Sequence, residues 1–245
     1  MFQQDLRGEI SVVEQEFFSH YSNTHINSIL RILGLENIFK DKQYEQNLII
    51  PLIIIKKIES HDLETLKDMK NEIINFPFKI LSKKLPLHLA CKLGDLEIVK
   101  FILSCKLDIN TLNYKEYTPL DYSVEFRNSD VSLFIKNQGG ILNKNKNNYQ
   151  LNTKFAYEND LKSLKVLYEC GANLLACDYD GRNCAHIAAK ENYIEIIKFL
   201  IDETDLDIMI NDRWGNTPYS EGDEEIKKII LKKYDLGKYY FYLLF

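Results

Sequence analysis

The feature that most constrains this chain is a recurrence of about 33 residues, a period that belongs to stacked-repeat architectures. Its clearest copy is Leu85-Pro-Leu-His-Leu-Ala-Cys-Lys-Leu-Gly-Asp-Leu-Glu-Ile-Val-Lys-Phe-Ile102. The same types return 98 residues later, with His186 for His88, Glu195 for Glu97, Lys198 for Lys100 and Phe199 for Phe101. Thr118-Pro-Leu120 lies 33 residues after Leu85-Pro-Leu87, and His61-Asp-Leu-Glu lies 33 before Gly94-Asp-Leu-Glu. Asn159-Asp-Leu-Lys follows Gly94 by 65, and Asp212-Arg-Trp-Gly-Asn-Thr-Pro218 follows Asp178 by 34. Six copies result, at about 47–81, 82–114, 115–147, 148–177, 178–211 and 212–234.

Each copy makes physical sense as turn, helix, turn, helix. Asp178 and Gly181 suit a tight turn, since Asp bonds nearby backbone and Gly tolerates φ > 0. Thr217-Pro218 starts a helix: Thr caps free N–H groups, and Pro at the first helical position loses nothing. Ala90, Ala188 and Ala189 let helices approach closely. Ile196, Ile197, Phe199, Leu200 and Ile201 form the buried stripe of a second helix. One such unit cannot bury its own apolar face, so neighbours must stack. The expected fold is therefore all-α, a solenoid of about six helix-turn-helix repeats.

The period, the Thr-Pro-Leu-His type of helix start and the Asp/Gly loop resemble the ankyrin repeat. The last two complete copies, through Asp178-Tyr-Asp-Gly-Arg182 and Asp212-Arg-Trp-Gly-Asn-Thr-Pro218, are similar to the ankyrin segment of animal glutaminases, large asparaginases and plant potassium channels. The resemblance implies a repeat scaffold and no activity, because catalytic or channel domains have no room in 245 residues. Several copies depart from the pattern. Copy one has Pro51-Leu-Ile-Ile-Ile55 in place of Thr-Pro-Leu-His, which suits a helix covered by the N-terminal segment. Copy four lacks its loop glycine. Copy five has Asn183-Cys184-Ala185 where Thr-Pro-Leu is usual. In copy six the first helix should be about one turn short. Lys144 to Asn148 forms a polar bridge, the expected hinge of the stack.

Residues 1–46 do not show the period, and Ser11–His20 and Ile26–Phe39 read as amphipathic helices of an N-terminal cap. Residues 235–245 form an apolar tail. A terminal repeat should present a polar outer face, so Tyr239–Phe245 is expected to fold back as a cap or dock on a partner. The longest apolar run, Leu48 to Ile55, falls far short of the roughly 20 residues of a membrane span, and Asp5, Arg7 and Glu9 interrupt any leader-like stretch. No membrane insertion is expected. The net charge of −5 argues against nucleic acid as a partner. Five cysteines, an odd number, make a disulfide framework improbable and suggest a reducing, cytoplasmic setting.

The chain offers no catalytic constellation: G-x-S-x-G, H-E-x-x-H and a Gly-rich phosphate loop are all absent. Cys170, Cys177, Cys184 and His186 follow the spacing C-x6-C-x6-C-x-H, which matches no common zinc site. His88 and His186 recur with the fold period, so a structural role is expected, with the ring bonding the backbone of a neighbouring loop. The chain is therefore read as non-enzymatic, with no cofactor and no metal. It should hold a protein partner in the groove formed by the tips of the loops ("fingers") and the first helices. Tyr114, Lys115, Tyr117, Tyr179, Arg182, Lys190, Arg213 and Trp214 are the expected contact residues, because large aromatics and arginines dominate interface energies. The resemblance favours Trp214 packing on the preceding finger over projecting into the groove. Two other readings stay open: a structural subunit of a large assembly, and a regulatory piece related to the amidohydrolases.

Overall fold

The structure is a computed structural model that describes residues 46–75, 85–113, 115–143, 149–204 and 206–234. The expected cap over residues 1–45, the bridge at Lys144–Asn148, Tyr114 and the tail over 235–245 lie outside the described residues. Every regular element among the described residues is a helix. The chain parts into two compact units, residues 1–115 and 116–245.

In the first unit, α1 (Gln46–Glu59) is followed by the short α2 (Leu63–Asp68) and α3 (Lys70–Asn75), then by α4 (Pro86–Leu93) and α5 (Leu96–Ser104). First helices pack on first helices, α1 against α4, and second on second, α2 against α5. The apolar run that looked too greasy for an exposed helix is the core: Ile54 and Ile58 are fully buried, as are Ile98 and Ile102 of α5.

The second unit holds four pairs: α6 (Pro119–Glu125) with α7 (Ser129–Asn137), α8 (Tyr149–Tyr157) with α9 (Leu161–Glu169), α10 (Cys184–Lys190) with α11 (Ile194–Asp202), and α12 (Pro218–Glu221) with α13 (Glu224–Tyr234). α10 packs between α8 and α12, while α9 packs on α7 and α13 on α11. Small side chains permit the inner row: Ala185, Ala188 and Ala189 are buried along α10. α12 is a single turn of four residues, as the shortened sequence between Pro218 and Glu225 requires.

One device turns the chain from first to second helix in five of the six copies. A residue in the left-handed region ends the turn: His61 (φ 56°), Gly94 (78°), Arg127 (61°), Asn159 (52°) and Asn192 (59°). The next residue then caps the second helix. The carboxylates of Asp62, Asp95 and Asp160 accept from the N–H groups of Thr65, Ile98 and Ser163 at 3.0–3.1 Å. In two of these turns the left-handed residue also reaches a carboxylate of the following repeat: His61 Nδ1 lies 2.7 Å from Asp95 Oδ2, and Arg127 Nε lies 2.9 Å from Asp160 Oδ2.

Candidate interaction surface on the finger loops

The fingers that precede α10 and α12 repeat one hydrogen-bond pattern. Asp178 N–H donates to Arg182 O (2.9 Å), and the Asp178 carboxylate accepts from the N–H groups of Asp180 (3.0 Å) and Arg182 (2.9 Å). In the next finger Asp212 N–H donates to Asn216 O (2.8 Å), and its carboxylate accepts from Trp214 N–H (2.9 Å) and Asn216 N–H (2.8 Å). Burial alone would push the Asp212 carboxyl up, but the donation from Asn216 and Trp214 carries it below its ordinary range. Gly181 (φ 75°) and Gly215 (φ 83°) close the two tips in a conformation that L side chains resist.

The tips touch. Arg213 N–H donates to Asp180 O at 2.8 Å, and Arg213 Nη1 lies 2.6 Å from Asp180 Oδ1. A Cβ on Gly181 would stand 3.2 Å from Arg213 N, so the second finger approaches where only glycine leaves room.

Behind the fingers, a polar residue in the first turn of the first helix reaches forward to the next finger. Asp121 accepts from Asn143 N–H at 3.2 Å, Asn152 Nδ2 donates to Asn173 O at 2.7 Å, and His186 Nε2 lies 3.2 Å from Asn216 O. Three chemistries thus serve one position. Asp121 and His186 also close capping boxes with Thr118 and Asn183. The expected role of His186 as a tie to neighbouring backbone is what the geometry shows, and His88 is likewise buried in α4.

The cysteines take no part in chemistry visible here. Cys184 Sγ donates to Leu174 O and Cys177 Sγ to Leu175 O, both at 3.2 Å. Burial pushes the Cys184 thiol up to about 12 and the Cys170 thiol to about 11. Among the described residues no three His, Cys, Asp or Glu side chains gather closely enough to hold a metal ion.

The expected contact residues fall in different places. Tyr179 is 87% exposed and Trp214 61%. The leaning toward Trp214 packing on the preceding finger is not met: its ring stands out, covered on one side by its own neighbour, with Arg213 Cζ 5.1 Å from the ring centroid. The link between fingers is made by Arg213 and Asp180 instead, because the guanidinium reaches a carboxylate that the indole cannot use. Arg182 is mostly buried and pairs with Glu221 at 3.1 Å. Lys190 is exposed at the last turn of α10. Tyr117, half-buried, meets Tyr122 edge to face at 5.4 Å, and Tyr122 stacks on the exposed Phe126 at 6.0 Å. Tyr122 on α6 and Phe126 at its C-cap were not singled out from sequence; their four-residue spacing was the available signal. Lys115 is exposed in the first unit.

Models of ankyrin repeats match residues 52–150 (three copies) and 153–201 (many copies). The chain is 28% identical over 149 residues to the mouse "Glutaminase liver isoform, mitochondrial", a match covering 59% of this chain and 23% of that protein. It is 22% identical over 219 residues to "L-asparaginase" of Dirofilaria immitis, covering 89% of this chain and 36% of that protein. The chain thus spans a minor share of the curated relatives it matches. Among solved structures, the ankyrin repeat domain of Bcl-3, described as a member of the IkappaB protein family, superposes with a TM-score of 0.61 at 15% identity, over 87% of this chain and 99% of that one. No helix among the described residues is long and apolar enough to cross a membrane.

Proposed function

Because the chain belongs to the ankyrin-repeat family, we propose that it is a non-enzymatic binding module that holds a protein partner across its finger tips and first helices. One observation carries this reading. Tyr179 and Trp214 hold 87% and 61% of their surface in solvent, on loops whose backbones are fixed by Asp178, Asp212 and the Arg213–Asp180 contact. A fold that needed these rings would bury them. Rigid, exposed aromatics lose little entropy on binding and supply large contact areas. Tyr117, Arg182, Lys190 and Arg213 complete the surface in the second unit, and Tyr114 and Lys115 are its proposed counterparts at the end of the first.

A reducing, cytoplasmic setting fits the described cysteines, all free and four of the five buried. Relatives bearing the names of glutaminase and asparaginase are matched over only 23% and 36% of their own lengths.

The test is comparative capture from native extract with the wild-type chain and a Tyr179→Ala/Trp214→Ala variant. Two contact rings at about 2 kcal/mol each should weaken a genuine partner by well over tenfold, while the thermal midpoint stays put. Equal recovery of every captured protein would refute the surface.

A further inference from the structure

Three finger tips hold the left-handed region two residues before a helix cap: Glu116 (φ 60°) ahead of Thr118, Gly181 (75°) ahead of Asn183 and Gly215 (83°) ahead of Thr217. Two of them meet this demand with glycine. The finger before α6 meets it with glutamate, whose Cβ is strained there. Six residues other than glycine hold that region, and five of them have a reason within the chain. His61 and Arg127 reach carboxylates of the following repeat. Asn159 and Asn192 are of a type that tolerates the region. Lys106 stands just beyond the last carbonyls of α5, where a cation is favoured. Glu116 has none of these. Its backbone O accepts from Asn143 Nδ2 at 2.5 Å, a bond that glycine would make as well. Its side chain is exposed, and among the described residues its carboxylate makes no hydrogen bond and no ion pair. The capping box of α6 is closed by Thr118 and Asp121, so the helix start does not call for a further acid.

Strain that does nothing for the fold marks a residue kept for another task. Resting on the reading of the fingers as a binding surface, we propose that Glu116 is a recognition carboxylate of that surface and pairs with an arginine side chain of the partner protein. An ionised carboxylate only accepts, and the net charge of −5 favours a cation over an anion as its counterpart. Glu116 also leads into an aromatic row. Tyr117, next in the chain, meets Tyr122 edge to face, and Tyr122 stacks on the exposed Phe126. A guanidinium is the cation that suits both features: its N–H fork matches a carboxylate and its plane lies on ring faces, whereas an ammonium is a compact, strongly hydrated point charge.

Measurements on the full-length chain test this, and the first needs no partner. Glu116→Gly should raise the urea midpoint, while Glu116→Gln, which keeps the strain, should leave it in place. A midpoint that stays or falls in Glu116→Gly would assign the side chain to the fold and overturn the proposal. The second measurement uses a glycine–serine peptide carrying two arginines, set against the same peptide with citrulline, which keeps the shape and loses the charge. In two-dimensional amide NMR the arginine peptide should shift Glu116–Phe126 of the wild-type chain, and the citrulline peptide should not. Glu116→Gln should weaken that response by about threefold or more. Asp130→Asn, at another exposed acid of the same unit, should leave it unchanged. The assignment is overturned by an absence of shifts over Glu116–Phe126, by an equal response in Glu116→Gln or to citrulline, or by an equal loss in Asp130→Asn. The capture comparison at Tyr179 and Trp214 leaves Glu116 untouched, so either reading can fail while the other stands.

Discussion

Gly181→Ala and Gly215→Ala form a matched pair that measures what the contact between fingers is worth. Both glycines sit in the left-handed region, at φ 75° and 83°, so both substitutions carry the same conformational cost. An L residue there costs about 1–2 kcal/mol, of which the stiffer unfolded chain returns roughly 0.4–1 kcal/mol. The net is about 1 kcal/mol for each. The surroundings then separate them. A Cβ on Gly215 meets nothing within 4 Å, whereas one on Gly181 meets Arg213 N at 3.2 Å and Asp212 Cα at 3.3 Å. That spacing is tight enough to push the second finger back. The hydrogen bond from Arg213 N–H to Asp180 O is the first to lengthen, at about 1 kcal/mol. Gly215→Ala should therefore destabilise by about 1 kcal/mol and Gly181→Ala by about 2 kcal/mol. Urea unfolding followed through Trp214 emission reads the second finger directly, and far-ultraviolet circular dichroism reads the helices. Equal losses in the two variants would refute the reasoning, since the close approach of the fingers would then constrain nothing. A larger loss in Gly215→Ala would reverse it.

Trp214→Ala should leave the thermal midpoint unchanged, within about 0.5 kcal/mol, because the ring is 61% exposed; a clear drop measured by circular dichroism would restore the packing role. Lys106→Gly should stabilise by roughly 0.5–1 kcal/mol, since Lys106 holds φ 61° at an exposed turn and glycine relieves that strain; chemical denaturation checks the sign. Ile102→Ala, at a fully buried position of α5, should cost about 2–5 kcal/mol through lost burial and an unfilled cavity, read the same way. Acid should weaken the chain in a defined window. Asp62 is held at about 2, first by its hydrogen bond with Lys57 and then by the Thr65 N–H. Burial raises Asp95 and Asp160, but hydrogen bonds with His61 and Ser163, among others, together carry both below the ordinary value. Carboxylates depressed in the folded state stabilise it above their unfolded pKa of about 4 and lose that contribution as pH falls through the folded values. Unfolding midpoints should thus hold steady above pH 5 and decline between about pH 4 and 2; a flat profile would show that these caps contribute nothing.

The parts of the fold legible in the sequence were those in which one residue type serves one task. The Ile and Leu stripes of α5 and α11, the alanines of α10, and the Thr-Pro starts at Thr118 and Thr217 announce themselves because burial, close approach and capping each select few side chains. The turns between first and second helices were hidden for the opposite reason. Five of them use the left-handed region, yet only Gly94 is glycine; His61, Arg127, Asn159 and Asn192 bear the strain. At His61 and Arg127 the side chain held there meets a carboxylate in the following repeat. A glycine would remove the strain and that contact together.

The finger surface divided along the same line. The exposed rings were nominated by type, and type alone could not say that both arginines beside them already pair with acids of the chain. That depends on which carboxylates the stacking brings near: Asp180 lies 33 residues before Arg213, and Glu221 lies 39 after Arg182. Such pairs are a product of the period, since a side chain one repeat away in sequence is a neighbour in space. In a stacked-repeat chain, an arginine at a finger tip should therefore be tested first against the acids one period away.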